Sequence, residues 1–158
     1  MRMRMIITSD SHGKSGTFFD IAEKHIGDAS LFVNLGDCNS QRDLENAKLY
    51  FGSRLNLICA SGNCDWSSDT PETEEFMFGG KKVLMCHGHT FHVKSGLALY
   101  INEAKRRGAD IALFGHTHTP FQEYIDGIYF FNPGAVLDAR YGIIDVTDAG
   151  VVCIHAKI

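Results

Sequence analysis

In the stretch Leu113-Phe114-Gly115-His116-Thr117-His118-Thr119-Pro120, an apolar run ends on a glycine and two histidines follow, one residue apart. On extended backbone, residues two apart point the same way. His116 and His118 are therefore expected to converge just beyond the end of a buried strand. Such a pair suits metal ligation, but it also suits two loop histidines bonded to backbone, so residues elsewhere must decide. Asp10 and His12 follow the apolar run 3–8, Asp37 follows 31–35, Asn63 follows 55–60 and His87 follows 81–86. Taken singly, Asp10 or Asp37 would cap a helix equally well, and Asn63 would stabilise a turn. Seven ligand-type residues at one topological position are hard to explain that way.

The residue types also select the ion. Imidazoles and carboxylates with one amide oxygen, and no required thiolate, suit Mn, Fe, Zn, Co or Ni better than Ca or Mg. Seven ligands exceed what one tetrahedral ion uses, and a carboxylate can bridge two. Two ions ~3.5–4 Å apart are what phosphoester hydrolysis exploits, as a clamp on phosphoryl oxygens and a source of hydroxide. The expected cofactors are two divalent transition-metal ions, Mn first. A rival is a structural zinc site through Cys38, Cys64 and Cys86. Against it, Cys86 adjoins His87 in a strand, so its side chain should face the opposite way.

These residues need a frame. Phe18, Ile21, Ala22, His25 and Ile26 fall at helical spacing before Gly27, and Leu44, Ala47 and Phe51 before Gly52. Ser40 is expected to cap the second helix, with Asp43 close to a capping box. Strand, loop and helix thus alternate through residue 65, the pattern of an α/β sheet with mainly parallel strands. Ligands of such sheets gather outside the carboxyl ends of the strands, so the loops should meet at one edge. Residues 67–75 are polar and acidic and read as an exposed loop. Residues 75–78 and 81–86 read as a hairpin around Gly79-Gly80. Val93, Leu97, Tyr100, Ile101 and Ala104 form a helical stripe stopped by Gly108, and residues 110–114 form the strand leading to the histidine pair. Residues 125–128 turn into Tyr129-Phe130-Phe131, and 142–146 with 151–154 form a last hairpin.

The length of 158 residues, without repeat or linker, predicts a single domain over residues 1–158 with no room for a separate cap. A net charge of −4 argues against a general nucleic-acid or anionic-membrane partner. Five scattered cysteines without CxxC spacing suggest a reduced, cytoplasmic protein. The apolar run after Arg2 and Arg4 is too short for a signal peptide or a membrane span. His25, His92 and His155 read as structural, and Trp66 and Phe91, which follow two of the ligand loops, either pack those loops or line a substrate pocket. Tyr129-Phe130-Phe131 is either core or a contact surface, which leaves a homo-oligomer open.

The series Asp10-Ser11-His12, Gly36-Asp37, Gly62-Asn63-Cys64-Asp65, His87-Gly88-His89 and Gly115-His116-Thr117-His118 resembles the calcineurin-like metallophosphoesterase family. The compact size and the Cys after Asn resemble its small YfcE-type phosphodiesterases, and Asn132-Pro133-Gly134 resembles the family's later turn. The resemblance implies two packed mixed β-sheets flanked by helices, a four-layer sandwich. It implies one ion on Asp10, His12, Asp37 and His118, and a second on Asp37, Asn63, His87 and His116. The implied reaction is attack by a metal-bridging hydroxide on a small phosphodiester, with Asn63 also orienting the phosphate. Cys64 stands where many members carry a histidine that assists the leaving group, oriented by the residue at Asp65. A thiol is a weak substitute, so weak activity on monoesters is expected. His89 is a spare candidate for substrate contact or proton donation. Arg140 resembles an arginine found after that turn, although Ala135 and Ala139 depart from the expected Ser and Pro. The alternative is a non-catalytic scaffold for protein binding, the role of a retromer subunit that shares the fold.

Overall fold

The first strand, β1 (Arg2–Thr8), alternates its apolar side chains between two hydrophobic layers, and the rest of the fold follows from that. In this computed structural model, which describes residues 1–14, 16–65 and 69–158, Met5 and Ile7 face one layer and Ile6 the other. A strand buried on both faces reads as a continuous apolar run, which is what residues 5–7 are. β1 pairs in parallel with β2 (Leu31–Asn34), and β2 with β3 (Leu57–Cys59). On its other side β1 runs antiparallel to β9 (Arg140–Thr147), which pairs with β10 (Gly150–Lys157).

The second sheet begins with the hairpin β4 (Thr73–Phe78) and β5 (Lys81–Cys86). β5, β6 (Ile111–Leu113) and β8 (Ile128–Asn132) are mutually parallel neighbours, and β7 (Phe121–Ile125) closes the edge antiparallel to β8. Both sheets are mixed and five-stranded, in the orders β10-β9-β1-β2-β3 and β4-β5-β6-β8-β7.

Val33, Leu35, Ile144 and Val146 of one sheet meet Val83, Met85, Leu113 and Phe131 of the other in the central core. Outside the first sheet lie α1 (Thr17–His25) and α2 (Arg42–Phe51), which bury Phe18, Ile21, Leu44 and Phe51 against Ile6 and Phe32. Outside the second lies α3 (Ala98–Arg107), with Tyr100 and Ala104 on Leu84, Ala112 and Phe130. The result is the expected α/β sandwich of four layers. Phe130 and Phe131 are core residues, which resolves that choice for them. Among the described residues no helix is long and apolar enough to cross a membrane.

Several local expectations change. The N-cap position of α2 is Gln41, one residue after Ser40, and has no side-chain bond, while Ser40 Oγ accepts the Arg42 N–H of the first turn at 3.3 Å. Asp43 instead accepts from the N–H groups of Gly16 (2.8 Å) and Phe18 (3.2 Å), so it caps the neighbouring α1. β3 is shorter than 55–60, and the polar loop ends before Thr73, because residues 73–75 pair with β5. Val93 lies in a separate 3-10 turn, cut off from α3 by Gly96 at φ 129°. β7 carried no clear apolar pattern because it is a largely exposed edge strand starting just after Pro120. Trp66 and residues 67–68 lie outside the described residues.

Candidate metal centre

The parallel strands β1, β2, β3, β5 and β6 end at a common edge, and backbone bonds stitch their loops together. Asp10 N–H donates to Gly36 O (2.9 Å), His12 N–H to Asp37 O (2.9 Å) and Gly115 N–H to His87 O (2.8 Å). Asp10, His12, Asp37, His116 and His118 all have positive φ, between 46° and 69°. Left-handed backbone is uncommon for residues with a Cβ and costs ~1–3 kcal/mol at each, so the surrounding packing must enforce it. This corrects the reasoning from extended alternation. His116 and His118 enter one cleft because each turns left-handed, not because a strand continues through them.

Two groups of candidate ligands result. Asp10, His12 and His118 offer atoms within 4.8 Å of one another, and so do Asp37, His87 and His116. The histidine pair is thus divided between two positions in one cleft. Ring nitrogens face each other at 3.0 Å between His12 and His118, and at 3.1 Å between His87 and His116. Asp37 Oδ2 lies 3.2 Å from His87 Nε2 and 3.8 Å from His12 Nε2, so it looks into both groups. Asn63 is exposed, and its Nδ2 donates to Cys64 Sγ at 3.6 Å. Cys64 Sγ joins a third group with His12 and Asp37, which the sequence reading did not foresee.

The supporting residues were only partly legible. Asp65 is not turned towards Cys64; its carboxylate accepts the N–H groups of Asp37 (2.7 Å), Cys38 (3.0 Å) and Gly62 (2.8 Å), tying the β2 and β3 loops together. Ser9 was missed. Its Oγ donates to Asp10 Oδ2 at 2.6 Å, and the His116 N–H reaches the same oxygen at 3.0 Å. Asn132 was noted only as part of a turn, but its Nδ2 holds Gly115 O and Thr117 Oγ1, each at 3.0 Å. His155 lies behind it, stacked on Phe131 with Nε2 2.8 Å from Asn132 O. His89 sits at the rim, its ring 5.5 Å from that of His87 and its Nε2 3.8 Å from Glu72. His25 is buried against Tyr141, Phe91 packs on Tyr100, and Arg140 sets its stem beside Gly134.

The electrostatics favour an anionic Asp37 beside the His87 imidazole. Burial pushes Asp37 up, but hydrogen bonds from His87 and from the Cys64 N–H outweigh it and hold the carboxyl below its usual range. Burial likewise opposes the charged form of His87, yet Asp37 and Asp10 raise its pKa. His116 is lowered to about 4, by burial first and then by His87. The rival zinc site fails. Cys38 is buried in the layer under α1 and α2 and Cys86 in the layer under α3, and burial pushes each thiol up to about 12. Among the described residues no candidate group contains either.

Asp10 provides the test of whether a cation fits. Its Oδ1 is wholly buried and has no hydrogen-bond partner among the described residues. Three imidazole Nε2 atoms surround it without hydrogen-bonding to it, His118 at 3.4 Å, His12 at 3.6 Å and His87 at 3.7 Å. A buried carboxylate oxygen left unpaired is costly. A divalent cation held by nitrogen and oxygen donors would satisfy it.

Comparison with known proteins agrees with this geometry. Residues 3–151 match the model of the calcineurin-like phosphoesterase superfamily domain. The chain is 30% identical to the probable metallophosphoesterase YsnB of Bacillus subtilis, over 85% of this chain and 75% of that protein. It is 26% identical to the phosphodiesterase YfcE of Escherichia coli, over 97% and 93%. In fold it resembles a predicted phosphoesterase of Streptococcus pneumoniae, with a TM-score of 0.87 at 22% identity over 99% and 90% of the two chains. It also resembles vacuolar protein sorting 29 of Cryptosporidium parvum, with a TM-score of 0.75 at 16% identity over 99% and 98%.

Proposed function

Since the chain belongs to the calcineurin-like phosphoesterase superfamily, we propose that it is a metal-dependent phosphodiesterase acting on small, activated diesters as a single domain over residues 1–158. The observation that carries this reading is the buried, unpartnered Asp10 Oδ1 ringed by three imidazoles. Asp10, His12, Asp37 and His118 would hold one divalent ion; Asp37, Asn63, His87 and His116 would hold the other, with Asp37 shared. When bound, the ions supply Lewis acidity towards the phosphoryl oxygens and activate the attacking water. Nitrogen and oxygen donors suit Mn, and also Ni, Fe, Co or Zn.

The chain's own residues then set the selectivity. Asn63, exposed at the cleft, orients the phosphate through its amide. Cys64 occupies the place of a proton donor, but burial and the neighbouring Asp37 raise its pKa above the usual thiol value, and a thiol is a weak hydrogen-bond donor. Poor leaving groups lose most by this, since general-acid help is typically worth ~10²–10⁴-fold. Asp65 fixes the loop that carries both residues, and His89 contacts substrate at the rim. The five free cysteines fit a reducing, cytoplasmic setting.

The test compares bis(p-nitrophenyl) phosphate with p-nitrophenyl phosphate in the presence and absence of Mn. Metal-stimulated cleavage that favours the diester is expected; a monoester preference overturns the reading. The likeness to vacuolar protein sorting 29 favours a second reading, a non-catalytic scaffold. Against it stands the full set of ligand-type residues, which a scaffold does not require. Substoichiometric metal after chelator-free purification, with no stimulation by Mn, Zn, Co or Fe, would favour the scaffold.

A further inference from the structure

We propose that Cys64 is itself a metal ligand, and that its sulfur makes the position beside His12 and Asp37 selective for thiophilic ions. This rests on the metal-centre reading above. His12, Asp37 and Cys64 each offer a ligand atom within 4.8 Å of the other two. In a tetrahedral site, nitrogen, oxygen and sulfur ligands ~2.0–2.3 Å from one ion lie ~3.3–3.8 Å apart, so closing the group takes a movement of at most about 1 Å.

The surroundings support a prepared position. Cys64 N–H donates to Asp37 Oδ1 at 2.8 Å, and Asp65 clamps the N–H groups of both Asp37 and Gly62. The Cys64 backbone is thereby fixed relative to Asp37, which leaves mainly a side-chain rotation to bring Sγ onto an ion. His12 belongs also to the group with Asp10, whose buried and unpartnered Oδ1 lies 3.6 Å from His12 Nε2. The ion-demanding oxygen and the thiol therefore border one space. Cys38, Cys59, Cys86 and Cys153 occupy or border the hydrophobic layers instead.

The step is a simple exchange. The Sγ–H bond breaks, its proton passes to solvent, the electron pair stays on sulfur, and a sulfur–metal bond forms without redox change. Thiolate ligation selects Zn, Co or Fe over Mn and Mg. It also removes Cys64 from proton donation, which deepens the expected weakness towards monoesters.

Cobalt(II) titration tests this without an activity assay. The wild type should show both visible d–d bands and a near-ultraviolet sulfur-to-cobalt charge-transfer band. Cys64→Ser should keep the d–d bands and lose the charge-transfer band. Its Zn affinity, read by competition with a chromophoric chelator, should fall at least about tenfold. Cobalt bound with d–d bands but no charge transfer in the wild type, or a charge-transfer band that survives Cys64→Ser, overturns the assignment while leaving the metal centre intact. No cobalt binding at all overturns both. Cadmium-113 NMR of the wild type gives a measurement that needs no variant: a resonance in the nitrogen–oxygen range, without the downfield shift of sulfur ligation, sinks the proposal.

Discussion

Oδ1 of Asp10 lies 3.4 Å from Nε2 of His118, fully buried, with no hydrogen-bond partner among the described residues. Oδ2 of the same carboxylate is satisfied by Ser9 and by the His116 N–H. One half of the group is therefore built into the fold, and the other half lacks a partner among the described residues that a cation would supply. Divalent metal at ~100 times its dissociation constant should stabilise the protein by about 2.7 kcal/mol. For a chain of this size that is a rise in Tm of about 5–10 °C. Asp10→Asn should lose most of this gain, and without metal it should be no less stable than the wild type. Thermal melts with Mn or Zn and after chelation check both; an undiminished gain in the variant refutes the assignment.

Cys64 joins His12 and Asp37 in one group, and in the proposed mechanism it stands where a proton donor would serve the leaving group. Cys64→His restores an imidazole, so monoester cleavage should rise by on the order of tenfold or more, approaching the ~10²–10⁴-fold that a general acid supplies. Activated diesters should gain much less. Steady-state rates on the two p-nitrophenyl substrates decide the matter, and an unchanged monoester rate removes the leaving-group explanation.

Gly115 is a close-approach position. A Cβ there would run into Ser9 Oγ and come within 2.9 Å of Asp10 Oδ2. Gly115→Ala should therefore cost about 1–3 kcal/mol by overpacking, and it should weaken metal binding by displacing Asp10. Gly27→Ala is the control, since a Cβ at that position meets nothing within 4 Å. Urea unfolding of the two variants should separate them clearly; equal stabilities would contradict the packing account.

His25 makes stability depend on pH away from the metal cluster. Its Nε2 lies 2.9 Å from the Tyr141 hydroxyl, and burial lowers its pKa below 6.5 despite Asp28 at 3.5 Å. A histidine that resists protonation when folded favours the unfolded state once the unfolded imidazole takes up a proton. Its contribution is thus fully present above the ordinary value and is lost as pH falls through it towards the lower folded value. The stability advantage of the wild type over His25→Gln should shrink between about pH 7.5 and pH 5. A difference independent of pH would show that the histidine does not carry the effect.

Much of the fold was legible locally. The runs 3–8, 31–35 and 81–86 had to be strands, because apolar residues at adjacent positions bury both faces. The stripes through Phe18 and Leu44 are helices; Gly52 caps the second as expected, whereas the first ends at His25 with Ile26 as its C-cap, ahead of Gly27. What periodicity does not carry is which distant element a side chain meets. Asp43 could be recognised as a capping residue, but only packing of α2 beside α1 decides that it caps α1. β7, exposed and polar at the sheet edge, had too little buried surface to leave a pattern.

The sequence by itself determined the chemistry available: seven residues of ligand type at the ends of apolar runs, and a cysteine directly after Asn63. Tertiary structure alone decided the geometry. Residue types and spacing are local properties, whereas the left-handed turns at Asp10, Asp37, His116 and His118 are strained and persist only because loops from both sheets hold one another in place. That same long-range packing leaves Asp10 Oδ1 unpaired, divides His116 from His118 and brings Cys64 to His12 and Asp37.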